Sequence, residues 1–382
     1  MRADALRQTL RRAFPFASNG YEIVCVRSST KRSEFLNKGN GAIILDDALR
    51  DVMRVLCVLL EIKNFHPGIT YAVLHPLIAD YCYNFGDMAC AAYFAVRGLE
   101  RIDQTSLLAN IAFEREAGSD HEKFILLHEA THGMVSLSQP EISQWRDVAR
   151  EALLKVADVA DRFRIGGPEA LGFSRLAGIE WEQIDQSAME RQTLVYVEKI
   201  LQDKSIEEDV TCDVLAILGY ANCTMSEQRM FEPDWKPLDE QQSVDLAVCF
   251  LQGLRTLKLE QAIAGFEQSA RNVCSTAPPE YLEQRLLAST ARNNALVHIL
   301  IGVLQARGNS ERVTSAFRRK IEGFFKKLSD RILTPDQDLA AFATDNGRFS
   351  EAFLETMGRT WPTEPLESDL KTFDDARNQY PY

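Results

Sequence analysis

The chain has no C-x-x-C pair, no apolar run long enough to cross a bilayer, no excess of basic charge and few histidines. Its eight cysteines (Cys25, Cys57, Cys82, Cys90, Cys212, Cys223, Cys249 and Cys274) form no regular framework, which argues against a disulfide scaffold and against a zinc ribbon. Most of them sit among apolar residues, where free cysteine behaves as a small buried hydrophobe, and a reduced cytoplasmic protein is the expectation. The longest apolar run, Ala295 to Leu304, contains His298 and falls well short of the roughly 18–20 residues a membrane helix needs. A formal charge of −12 counts against a nucleic-acid partner, because phosphate backbones select clustered Lys and Arg. The Arg-rich, amphipathic start (Met1 to Phe14) has the composition of a transit peptide. It lacks a secretory apolar region, and a plain first helix accounts for it.

Scarcity makes the histidines informative, since two of the six fall in Phe124-Ile-Leu-Leu-His128-Glu129-Ala-Thr-His132-Gly-Met134. An H-E-x-x-H spacing on a helix stacks both imidazoles on one face, one turn apart, where they can share one Zn²⁺. The intervening Glu129 then lies beside the metal, placed to take a proton from an activated water.

The surrounding sequence predicts a mainly α (α+β) chain. Tyr21–Val26 and Gly41–Leu45 read as short strands of a small N-terminal sheet. Asp46-Asp47 caps a helix from Ala48 to about Glu61, and Tyr71 to about Arg97 is helical with a break near Asn84-Phe-Gly86. Leu107–Phe113 has strand composition and stands as a candidate edge for an extended substrate. Ser119-Asp120 caps the motif helix, with Gly133 or the Ser138-Gln-Pro140 loop as its stop. Helices follow over 141–164, 187–203, 206–221, 243–273, 279–306 and 310–331, and Thr334-Pro335 opens another. Prolines near Phe231–Pro237 mark a boundary, giving a catalytic domain over 1–235, a helical domain over 236–358 and a loose tail over 359–382.

A catalytic zinc takes three protein ligands, and no histidine follows His132 at metzincin spacing. A downstream carboxylate is needed. Here the chain resembles the gluzincin metallopeptidases, whose H-E-x-x-H helix is joined by a later helix of pattern E-x-x-[A/C]-D-x-x-A. Asp209-Val-Thr-Cys212-Asp213-Val-Leu-Ala216 has that shape, with Asp in place of the leading Glu. The resemblance implies a zincin-like core, Zn²⁺ held by His128, His132 and Asp209, and Asp213 bracing a ligating histidine. Glu208 is one register step from Asp209, and Glu151 follows His132 at the spacing of gluzincin aminopeptidases; both stay open as third ligand.

The function so implied is hydrolysis of a protein or peptide substrate, with Glu129 as general base. Two other classes share the pattern: a non-haem iron oxygenase using two histidines and a carboxylate, and a non-catalytic binding protein. His298, Tyr196 and Tyr220 are candidate oxyanion donors, although a lone histidine on an apolar helix is more often a core residue. His121, seven residues before His128, shares its face, and the surface is the simpler place for it.

Overall fold

The computed structural model describes residues 2–15, 21–28, 31–37, 41–61, 67–88, 90–92, 94–95, 117–136, 140–164, 196–225, 240–274 and 280–306, with scattered positions between 315 and 326. The described part is mostly helical, with one small sheet. Helix α1 (Arg2–Ala13) leads into strands β1 (Glu22–Val26), β2 (Glu34–Leu36) and β3 (Ala42–Asp46). Then come helices α2 (Asp47–Glu61), α3 (Pro67–Asn84), α4 (Ala117–Ser136), α5 (Pro140–Arg164), α6 (Lys204–Thr224), α7 (Glu240–Val273) and α8 (Glu280–Ala306).

The sheet runs in the order β1-β3-β2, with β1 parallel and β2 antiparallel to β3. β3 is buried along its whole length, as a central apolar strand of Ala42-Ile-Ile-Leu should be. The three-residue β2 escaped the sequence reading because it is too short to show a period. Asp46 ends β3 and starts α2: its Oδ1 accepts the Ala48 amide at 2.8 Å, the capping role expected of it. Gly86 takes φ +82° at the break after α3, where only glycine enters the left-handed region without cost.

α4 and α6 form the centre. Phe124, Ile125, Leu126, Leu127, Ala130, Met134 and Val135 of α4 are buried, as is every residue of α6 from Val210 to Ala221. Helices this apolar on all sides must be wrapped by others, and α1, α2, α5, α7, α8 and the sheet do the wrapping. α4 starts at Ala117, before the Ser119-Asp120 cap, and runs through Gly133 to Ser136. Gly133 therefore does not stop the helix. A Cβ there would stand 2.7 Å from Phe35 and 2.9 Å from the Tyr21 hydroxyl, so glycine lets α4 lie directly on the sheet.

One hydrophobic core joins residues from both sides of position 235: Leu127 and Leu215 share it with Leu254, Leu296 and Phe317. Leu107–Phe113, the Phe231–Pro237 boundary, the Thr334 helix start and the 359–382 tail lie outside the described residues. Among the described residues no helix is long and apolar enough to cross a membrane.

Candidate metal centre

The site grows out of the α4–α6 pairing. His128 meets Asp213, while His132, one turn on, meets Glu208 and Asp209, one turn back. The two helices are thus antiparallel, and their i, i+4 rows face each other. Thr131, between the histidines, locks the contact by donating to the His128 carbonyl at 2.6 Å and to the Cys212 carbonyl of α6 at 3.3 Å.

The Nε2 atoms of His128 and His132 are 3.2 Å apart, and Asp209 Oδ1 lies 3.6 Å from His132 Nε2. All three ligand atoms fall within 4.8 Å of one another. Ligand atoms at zinc-bond length from one tetrahedral ion stand about 3.3 Å apart, so the three are spaced for a shared cation. The other ring nitrogens face acids: His128 Nδ1 is 2.8 Å from Asp213 Oδ1, and His132 Nδ1 is 3.1 Å from Glu208 Oε1. The His128 Nδ1 contact is close but not aimed squarely at its acid. A carboxylate on Nδ1 leaves the Nε2 lone pair as the ligand.

Asp213 is fully buried, and Arg292 of α8 grips it with Nε and Nη2 at 2.8 and 2.7 Å. Burial alone would raise the Asp213 pKa; Arg292 and His128 reverse that and bring it to about 2. The third Arg292 nitrogen lies 3.5 Å from Asp209 Oδ2, so one guanidinium spans both aspartates. Burial disfavours charge on His132, yet Cys212 and the Glu208 and Glu129 carboxylates outweigh it and raise its pKa. Cys212 is itself held protonated by burial, so the charge in that effect comes from the carboxylates. Glu208 is drawn below its ordinary value, first by its hydrogen bond to His132.

The three open ligand positions now separate. Asp209 is in the cluster, Glu208 reaches the far nitrogen of His132, and Glu151 is exposed on α5, lining a cavity with Trp145, Lys155 and His298. Glu129 is partly exposed and one residue from His128, and no described residue donates a hydrogen bond to it. His298 faces that α5–α8 cavity rather than the histidine pair. Tyr196 is half-buried, its hydroxyl enclosed beside Asn294 without a well-formed hydrogen bond among the described residues, and Tyr220 stands by Asp120.

His121 is a correction: it is only 5% exposed, with Nε2 at 2.8 Å from Cys57 Sγ and Nδ1 at 2.7 Å from Thr256 Oγ1. The tertiary fold covers its face with α2 and α7. Arg292 and Cys212 were missed as site residues. The signal for Arg292 was its place in an apolar stripe with Ala295, Leu296 and Ile299, three, four and seven residues on, where a solvated arginine does not belong. No protein-family model, curated protein or solved structure matches this chain.

Proposed function

We propose that this chain is a zinc-dependent peptidase of gluzincin type, with His128, His132 and Asp209 as metal ligands and Glu129 as general base. The observation that carries the proposal is the convergence of three ligand atoms at metal-sharing distances, with each imidazole backed by its own carboxylate. Carboxylates crowd this small volume: Glu129, Glu208, Asp209 and Asp213 face Arg292 and the more remote Arg146. Such an excess of negative charge favours a bound cation.

Zinc held there would act as a Lewis acid and lower the pKa of a bound water to about 7. Glu129 would serve there as the general base, taking a proton from water and returning it to the departing amine nitrogen. Asp213 and Glu208 hold the imidazoles in the tautomer that presents Nε2. Arg292 acts through Asp213 and Asp209 as a positioning residue. The small sheet packs against α4 beside His132, through Phe35 and Tyr21 at Gly133, which supports reading the two as a zincin-like core. Its edge strand β2 is a place where an extended peptide could add by backbone hydrogen bonds.

The test is metal analysis followed by exposure of the purified protein to a diverse peptide library, read by mass spectrometry. Zinc-loaded protein should cut library peptides, and Glu129→Gln should keep its zinc while losing cleavage. Unchanged cleavage by Glu129→Gln would sink the reading. The same donor set holds ferrous iron, so protein purified with iron, and an oxygen-dependent change in peptide mass without cleavage, would favour the oxygenase class instead.

A further inference from the structure

The sequence spaces Cys82, Cys90 and Cys274 without any metal-binding pattern, but the fold gathers them at the far end of α3. There the chain turns sharply: the Cys82 carbonyl accepts the Phe85 amide at 3.2 Å and the Asp87 amide at 3.0 Å. Asp87 Oδ1 in turn accepts the Cys90 amide at 3.0 Å. With Gly86 supplying the positive φ, these bonds fix residues 82, 87 and 90 on one small loop. α7 ends beside it and delivers Cys274, whose backbone amide is bonded to the Ala270 carbonyl at 3.0 Å.

Asp87 carboxylate oxygen, Cys90 Sγ and Cys274 Sγ all lie within 4.8 Å of one another. The Cys82 side chain lies beside Cys274 but outside that three-atom group. Two sulfurs and one carboxylate thus converge, neither sulfur in a disulfide. Thiols are weak hydrogen-bond donors and acceptors, so mutual contacts between them give little reason for the cluster. A disulfide would use both sulfurs and leave the acid without a role. Two thiolates with one hard oxygen are a donor set that suits a soft, tetrahedral divalent ion such as zinc.

We propose that Cys90, Cys274 and Asp87 form a second zinc site, structural in role, that ties the turn after α3 to the end of α7. The site is independent of the His128–His132 centre in residues and in ligand chemistry. Zinc there would replace up to two thiol protons, released to solvent, with a water as the fourth ligand.

The experiment is zinc and cobalt stoichiometry on the full chain, in wild type, in His128→Ala/His132→Ala and in Cys90→Ser/Cys274→Ser. The histidine variant should retain about one zinc per chain, and its cobalt form should show intense thiolate-to-cobalt charge-transfer absorption. The cysteine variant should lose that absorption. Should the variants misfold, wild type suffices: alkylation of Cys90 and Cys274, mapped by mass spectrometry, should speed up about tenfold or more when a chelator removes zinc. The proposal is overturned if the histidine variant binds neither metal with a thiolate signature. A Cys90–Cys274 disulfide in the peptide map, or alkylation indifferent to chelator, overturns it equally. Failure of the peptidase reading looks different: the cysteine variant then holds no zinc while the histidine variant still holds one.

Discussion

Arg292 is the residue on which the centre turns, because Asp213 has no exposure and needs a fixed cation. Removing one partner of a buried ion pair leaves the other charge uncompensated. Arg292→Leu should therefore cost about 3–5 kcal/mol in urea denaturation. It should also weaken zinc binding about 10–100-fold in a chelator competition, because Asp213 orients His128. Arg292→Lys should recover only part of either, since an ammonium cannot grip both oxygens with a rigid fork. Unchanged zinc affinity in Arg292→Leu would remove its positioning role. His121 gives the residue-scale pH dependence: burial depresses its pKa from 6.5 to about 4. The folded state holds it neutral while the unfolded chain takes up a proton below pH 6.5. Its contribution is thus complete above that pH and lost as pH falls toward 4, on the order of 3 kcal/mol. His121→Gln should flatten the stability profile across that window, measured as denaturant midpoint against pH.

At the scale of elements, helix existence was legible and helix surroundings were not. The α2 pattern Leu49, Met53, Leu56 and Leu60 has helical spacing, and all four are buried. α4 and α6 were recognisable by their motif and acids, yet their nearly unbroken burial depends on neighbours distant in sequence. Close approach is the second thing pattern does not reveal. At Gly253 a Cβ would stand 2.7 Å from Ile217 and 3.0 Å from Phe124. Both are fully buried and cannot swing aside. Gly253→Ala should therefore destabilise by about 1–3 kcal/mol through overpacking, despite alanine's better helix propensity. Because Phe124 is one turn before His128, the same variant should also loosen zinc. Paired Gly253→Ala/Ile217→Val should return much of the lost stability; no rescue would place the strain elsewhere.

At the scale of the whole molecule, the core is continuous across the predicted boundary near 235. α6 buries one side against α7 and α8, and Arg292 of α8 completes the centre built on α4 and α6. A fragment over 1–235 would expose that face of α6 and strand Asp213 without its guanidinium. It should show no cooperative thermal transition and no stoichiometric zinc at the histidine centre, as read by calorimetry and metal analysis. A well-folded, zinc-binding fragment would establish the two-domain division instead.

Local chemistry determined what the sequence could determine alone. Two imidazoles four residues apart must share a helix face, and Asp46 before an apolar helix caps it. These follow from backbone geometry and charge within a few residues. Tertiary structure decided the rest. It separated Asp209, Glu208 and Glu151 as partners of the histidine pair, brought in Arg292 and enclosed His121. It also brought Cys90 and Cys274, far apart in the sequence, together with Asp87. Each of those outcomes depends on which helix faces meet, and that is set by packing of the whole apolar core rather than by any local pattern.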